Sequence, residues 1–481
     1  MNRTRLYAAL LAAALTLAGC QGTEGSDPTP ETTTPATEET MTSPPAEDPT
    51  APTPASTTDG EGTAQPGAAV DGETPAGQMT AFVLDLLERA EDVTAADFEG
   101  QLAPVLIAAI PADELAAVLN TSVRPTGPFR VTAYRGTQEA AITTIEPAVG
   151  DPLDLQIAVD EDGLLTGIYF TPAAAAHEPA TSMGEVDERL AALPLDVRAL
   201  ITLAPRGGTP EVLVSQRPDD AAPLASIFKL YVLLAVAEAV ADGEVTWDEQ
   251  VEVPTSLYSL PAGEFEGQDS ASVRELATAM ISVSDNTATD VLMDRVGRDA
   301  VEAAVEASGH ADPALVRPFT TTRELFQIGW GGEGRSEAWA AADEAGRRAM
   351  LEVLAGEPVP GLDEGGDDSV WDKGVDWFAS PEDIVRAYEA LDSVGDPVVR
   401  EILSVNPGVG LEFDHSAWPL IEFKGGGSVG VLTGAWRAER ADGALLTLVV
   451  LTATTDAATS MLSQREVFGL VEDTFRIAAE L

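Results

Sequence analysis

Residues 224–234 read Leu-Ala-Ser-Ile-Phe-Lys-Leu-Tyr-Val-Leu-Leu, an almost wholly apolar run that contains Lys229. Of the 27 lysines and arginines in the 481-residue chain only three are lysines, so a generic positive charge here would nearly always be arginine. Ile227, Phe228, Leu230, Tyr231, Leu233 and Leu234 wrap every side of a helix, which predicts a helix buried all round, with Pro223 suited to its first turn. Residues three apart share a helix face, so Ser226 and Lys229 are neighbours. The serine falls at the N-terminal end, where free backbone N–H groups and the helix dipole favour an oxyanion. Burial disfavours the ammonium form and lowers a lysine pKa by up to several units, whereas a guanidinium stays charged. A neutral amine beside a hydroxyl is a serine nucleophile with its base. The competing reading has Lys229 reaching to the surface and Ser226 serving as a helix cap. S-x-x-K alone does not separate the two.

Two further segments change the balance. Ser284-Asp285-Asn286 opens another helical run, with Asp285 placed as an N-cap. There a serine hydroxyl can relay a proton to a leaving group, and an asparagine amide can fix a substrate carbonyl and the lysine. The stretch I-E-F-K-G-G-G-S, residues 421–428, puts Lys424 at the end of a predicted strand. The glycines after it let a substrate backbone lie close.

Taken in order, S-I-F-K, S-D-N and K-G-G resemble the three signature motifs of class A β-lactamases and penicillin-binding proteins, over residues 183–481. The resemblance implies that Ser226 is the acylated nucleophile, Lys229 its base and Ser284 a further catalytic group. Asn286, Lys424, Gly425, Gly426 and Ser428 would bind substrate, with Lys424 supplying positive potential for a carboxylate. The backbone N–H groups of Ser226 and Gly427 would form the oxyanion hole. The implied substrates are β-lactams, D-Ala-D-Ala-type peptides or small esters, and no cofactor or metal is required.

The departures from the pattern are specific. The family's glutamate loop should precede a threonine-rich segment, here Phe319–Phe326, yet residues 309–317 offer only Asp312. That predicts acylation followed by slow turnover of β-lactams. K-T-G is K-G-G, which removes a hydroxyl that Ser428 is placed to replace. Between the threonines and Lys424 lies an extra stretch rich in Trp, Gly and Asp. It reads as a surface insertion, the other reading being a cleft rim with Trp371, Trp377 and Phe378 as contacts; within it Ser380-Pro381-Glu382-Asp383 reads as a helix start.

Toward the N-terminus, residues 78–174 carry helical patterns and then four strand-like pieces, which predicts an antiparallel sheet with helices on one face. With this partner the chain resembles the two-domain serine hydrolases typified by the β-lactamase-like protein of clavulanic acid biosynthesis. Those join a ketosteroid-isomerase-like α+β domain to a β-lactamase fold, so the expected fold class is α+β in both parts. Residues 21–77 are rich in Thr, Pro, Glu, Ala and Gly and contain no Lys or Arg, the composition of a disordered tether. Residues 1–20 read as an export signal ending in L-A-G-C. That ending resembles the bacterial lipoprotein signal, with Cys20 lipidated and the mature chain anchored in the membrane on its extracytoplasmic side.

The balance of 80 acidic against 27 basic residues, a formal net charge of -53, opposes nucleic acid as a partner. One cysteine and three histidines exclude internal disulfides and disfavour zinc or histidine-triad chemistry. The reading is therefore a lipid-anchored serine hydrolase acting on a small acyl substrate. The alternative is a non-catalytic ligand-binding or sensing surface lipoprotein on the same fold, against which the retained Ser226, Lys229, Ser284 and Lys424 argue.

Overall fold

The computed structural model describes residues 70–481 apart from 151, 161, 174–176, 262, 361–367 and 409–410. The export segment, Cys20 and the tether as far as residue 69 lie outside the described residues.

The smaller domain starts with α1 (Pro75–Glu88), a few residues ahead of the boundary expected near Gly77. Thr74 and Pro75 set that start: the threonine hydroxyl accepts from Gly77 N at 3.1 Å, and proline occupies the first turn, where its missing N–H costs nothing. Helices α2 (Pro104–Ala109) and α3 (Ala112–Val118) follow. Strands β1 (Phe129–Gly136), β2 (Ala140–Pro147), β3 (Leu153–Val159) and β4 (Leu165–Pro172) then form an antiparallel meander in sequence order. Met79, Val83 and Leu86 of α1 pack with Leu119, Ile145, Leu155 and Leu165, so the helices cover one face of the sheet.

The larger domain opens with α4 (Met183–Ala192), β5 (Asp196–Ala204) and β6 (Glu211–Gln216), then β7 (Ala222–Pro223) and α5 (Lys229–Ala241). After β8 (Gln250–Glu252) and β9 (Ser270–Ser272) comes a helical block. It holds α6 (Val273–Ser282), α7 (Asn286–Val296), α8 (Arg298–Ala307), α9 (Thr322–Trp330), α10 (Arg335–Ala341) and α11 (Glu344–Leu354). The chain returns through β10 (Phe378–Ala379), α12 (Pro381–Val394), α13 (Pro397–Leu403), β11 (Leu420–Ser428), β12 (Val431–Glu439), β13 (Leu445–Ala453) and α14 (Ala457–Ala478).

Both ends of this domain build one antiparallel sheet, ordered β11-β12-β13-β5-β6. Alternation along β13 sorts its two faces. Val449 and Leu451 join the core with the helical block, while Leu446, Leu448 and Val450 join the core under α4 and α14. α5 runs through the first of these cores, packed by α8 and α12, and all of its residues from Lys229 to Ala237 are buried. Each fully buried leucine or valine there contributes about 1.5–3 kcal/mol, which fixes the helix and whatever side chain it carries inward.

Candidate active site

Pro223 does not begin the helix. It pairs in β7 with Phe378 of β10, and Leu224 N donates to Trp377 O at 2.9 Å. The chain then turns through Ala225, which has φ +43°, into a 3₁₀ turn over Ala225–Phe228 before α5 starts at Lys229. A left-handed alanine is uncommon, and here it sits immediately before Ser226, which remains partly exposed. The helix therefore begins after the serine, and the serine rides on a bent turn at its entrance.

Lys229 is 0% exposed. Its Nζ lies against Ser284 O, 3.1 Å from Ser284 Oγ and 2.6 Å from Asn286 Oδ1. Burial pulls its pKa down to about 7, with Asp285 and Asp290 opposing. Ser226 Oγ is not among its hydrogen-bond partners, so the lysine and serine share a site but are not bonded in the resting form. Three acceptors suit an ammonium; a neutral amine satisfies Ser284 O and Asn286 Oδ1 and leaves a lone pair free.

Asp285 caps α7, accepting from Ala288 N at 2.8 Å, which presents Ser284 (φ +62°) and Asn286 to the cleft. Asn286 also donates through Nδ2 to Leu260 O at 2.5 Å. Its amide is thus held on the lysine and on backbone, with one N–H left for a substrate.

Lys424 does not end its strand. β11 continues through the glycines to Ser428, because they pair with β12 in unbroken register, Gly425 with Gly434 and Gly427 with Leu432. Lys424 Nζ donates to Ser284 Oγ at 3.0 Å and to Gly425 O at 2.8 Å. Burial first, and then the charge of Lys229, drive it well below its ordinary pKa. The positive potential expected of Lys424 for a substrate carboxylate is accordingly weakened in the resting site. One hydroxyl, Ser284 Oγ, joins both lysines.

The glycines differ in what they do. A Cβ at 426 would lie 2.4 Å from Leu224 O, 2.5 Å from Thr433 Oγ1 and 2.8 Å from Ser226 N. At Gly425 it would meet the Phe423 ring at 2.7 Å, whereas at Gly427 the nearest atom is 4.0 Å away. Gly426 is thus the point where β11 touches the serine's turn. Thr433 Oγ1 braces the same point by donating to Leu224 O at 2.8 Å. Ser428 closes β11 with a partly exposed side chain.

The threonine-rich segment meets the nucleophile's turn through Phe319, whose ring lies edge-on to Phe228 with centroids 5.8 Å apart. Thr321 caps α9, and Thr322 donates from N and Oγ1 to Asp290 Oδ1 at 2.8 Å each. Asp312 accepts from Ala314 N at the head of a 3₁₀ turn over Pro313–Val316. Segment 375–379, from the stretch expected to be a surface insertion, also packs on the serine's turn. Trp377 is buried and stacks on Phe228, centroids 3.5 Å apart at 17°, and its Nε1 donates to Thr320 O at 3.2 Å. Phe378 O receives His310 Nε2 at 3.1 Å. Asp376 Oδ1 accepts from Leu224 N, Ala225 N and Trp377 N at 3.1, 2.9 and 2.7 Å. Trp371, the third aromatic of the stretch, donates from Nε1 to Thr454 O at 3.1 Å. The expected helix start at Ser380 is present as a capping box with Asp383. Sequence reading missed Asp376 and Thr433, because only the closure of β7 on β10 and of β11 on the 3₁₀ turn brings them to the serine. Among the described residues no group of three or more His, Cys, Asp or Glu is arranged to hold a metal ion.

Residues 200–359 match the model of the beta-lactamase enzyme family, and residues 72–165 match the model described as ORF 12 gene product N-terminal. None of the curated proteins matches the chain. Similar solved structures include the β-lactamase from Sphaerobacter thermophilus DSM 20745, 17% identical, covering 63% of this chain and 99% of that one with a TM-score of 0.41. The class A β-lactamase from Mycobacterium abscessus is 17% identical over 61% of this chain and 96% of its own, TM-score 0.41. Penicillin-binding protein D2 from Listeria monocytogenes is 19% identical over 57% and 96%, TM-score 0.37.

Proposed function

We propose that this chain, whose larger domain is a class A β-lactamase-related serine hydrolase, forms an acyl-enzyme through Ser226 with β-lactams, D-Ala-D-Ala-type peptides or small esters. The observation that carries the proposal is the fully buried Lys229, poised at about pKa 7 between Ser284 and Asn286 at the start of the helix that follows the turn presenting Ser226. A neutral Nζ that turns its lone pair from Ser284 Oγ takes the Ser226 proton as Oγ adds to the acyl carbonyl. The N–H groups of Ser226 and Gly427 then hold the oxyanion. Ser284 Oγ, bonded by both lysines, hands a proton to the leaving group and is reprotonated through them.

Slow turnover of β-lactams belongs to the same proposal. Asp312 caps its own 3₁₀ turn, and Asp376 Oδ1 is taken up by three backbone N–H groups, so neither is placed as a free base for a deacylating water. Anchoring through a lipid on Cys20 is proposed on the L-A-G-C ending alone. Kinship with the two-domain hydrolases of clavulanic acid biosynthesis is proposed on the two family matches lying in one chain.

The second reading, a ligand-binding or sensing body, is favoured by one observation: Lys229 Nζ bonds to Ser284 and Asn286, not to Ser226 Oγ. A fluorescent penicillin decides between the two. Covalent labelling of the wild type that disappears in Ser226→Ala supports the hydrolase. No labelling and no esterase activity would leave the binder. Rapid nitrocefin hydrolysis would overturn slow turnover while keeping the acyl-enzyme.

A further inference from the structure

Ala225 is held in a left-handed conformation that an alanine rarely adopts, φ +43°, and such strain persists only where the surroundings over-determine it. Three contacts do so. Thr433 Oγ1 takes Leu224 O from the side of β12 at 2.8 Å. Gly426 leaves no room for the turn to move toward β11, since even a Cβ there would stand 2.4 Å from Leu224 O. Asp376 Oδ1 takes the N–H groups of both Leu224 and Ala225, and its own neighbour Trp377 is stacked on Phe228.

We propose that Asp376 is a positioning residue for the hydrolase: by accepting the N–H groups of Leu224 and Ala225 it holds the strained turn that aims Ser226 Oγ and Ser226 N at the substrate carbonyl. This rests on the acyl-enzyme reading only for its kinetic consequence; the restraint on the turn is a property of the folded protein. Although the residue keeps some solvent contact, desolvation pushes its carboxyl up to about 7 against the pull of its backbone hydrogen bonds. An uncharged asparagine is therefore a close substitute, because its carbonyl can accept the same N–H groups.

The test uses Asp376→Asn, Asp376→Ala and Asp376→Ala combined with Ala225→Gly. Asp376→Ala is expected to lower the rate of labelling by a fluorescent penicillin at least ~10-fold, the order that a small misplacement of a nucleophile costs. Asp376→Asn is expected to stay within a few-fold of wild type. Glycine adopts φ > 0 without strain, so the double variant is expected to recover much of the lost rate, which a merely structural residue would not allow. Amide hydrogen exchange over residues 222–230 gives a readout free of catalysis: protection is lost in Asp376→Ala and kept in Asp376→Asn. Wild-type labelling and protection in Asp376→Ala overturn the proposal. So does a rate that falls only in step with melting temperature and is not restored by Ala225→Gly. If the wild type itself is never labelled, the hydrolase reading fails, and the exchange data alone decide whether Asp376 holds the turn.

Discussion

Lys229 would have to carry its ammonium into a core with 0% exposure, and burial answers by lowering its pKa from 10.5 to about 7. The same depression that makes the amine usable as a base near neutral pH costs stability. Between about pH 7 and 10.5 the unfolded chain holds a proton that the folded chain does not, so stability rises with pH across that window. Below about pH 7 both states are protonated and the full penalty applies. A shift of this size sets a ceiling of about 5 kcal/mol. Lys229→Met removes that penalty but leaves Ser284 O and Asn286 Oδ1 without their donor, at about 1–3 kcal/mol each. The variant is expected to lose penicillin labelling entirely and to gain most in melting temperature relative to wild type near pH 6, where the wild type bears the full burial penalty. That gain should shrink toward pH 10, where wild-type Lys229 is folded as a neutral amine at little cost. Melting curves across pH check this; a variant equally destabilised at every pH would show that the amine is not under a burial penalty.

Strand β11 meets the serine's turn edge-on, and its three glycines are unequal in consequence. Gly426→Ala puts a methyl within 2.4 Å of Leu224 O and 2.8 Å of Ser226 N, both backbone atoms of the turn. It is expected to cut labelling by more than about 100-fold and to lower the melting temperature. Gly427→Ala has open space, its nearest atom 4.0 Å away, and is expected to stay within about 0.5 kcal/mol of wild-type stability. Equal effects of the two, measured by melting and by labelling rate, would mean the contact is not as drawn. This contact also shows what the sequence could and could not reveal. S-I-F-K, S-D-N and K-G-G are local strings, and each places its side chains through the turn, helix start or strand it sits on. The apolar wrap of 227–234 announced a buried helix, and buried it is. Pro223 as a helix start was misread because its partner, β10, lies more than 150 residues on, beyond any local periodicity. The same distance hid Asp376 and made a segment wedged under the serine look like a surface insertion. Trp377 was visible as an aromatic but not as the ring stacked on Phe228, since stacking partners 149 positions apart leave no pattern in the chain.

For the whole molecule, the two domains are tied by ionic contacts at the last helix: Arg465 reaches Asp154 of the small domain's sheet at 3.4 Å. The joining segment is held there too, with His177 between Glu466 at 2.8 Å and Asp473 at 2.7 Å. The chain carries a formal net charge of -53, and burial lowers the pKa of both lysines of the cleft. A substrate that carries a carboxylate, as penicillins do, must therefore approach against a negative field, with the cleft's own positive charge weakened by burial. Salt screens such a field, the Debye length falling from about 30 Å at 0.01 M to about 3 Å at 1 M. The second-order rate of labelling by a penicillin is accordingly expected to rise several-fold over that range, the reverse of the fall seen where opposite charges steer association. A neutral activated ester should react at a rate nearly independent of salt. If penicillin labelling slows as salt is added, an attractive positive potential reaches out of the cleft, and Lys424 is charged in the free enzyme after all. If both probes speed up together, salt is acting on the fold through relief of self-repulsion, and a parallel rise in melting temperature would identify that cause.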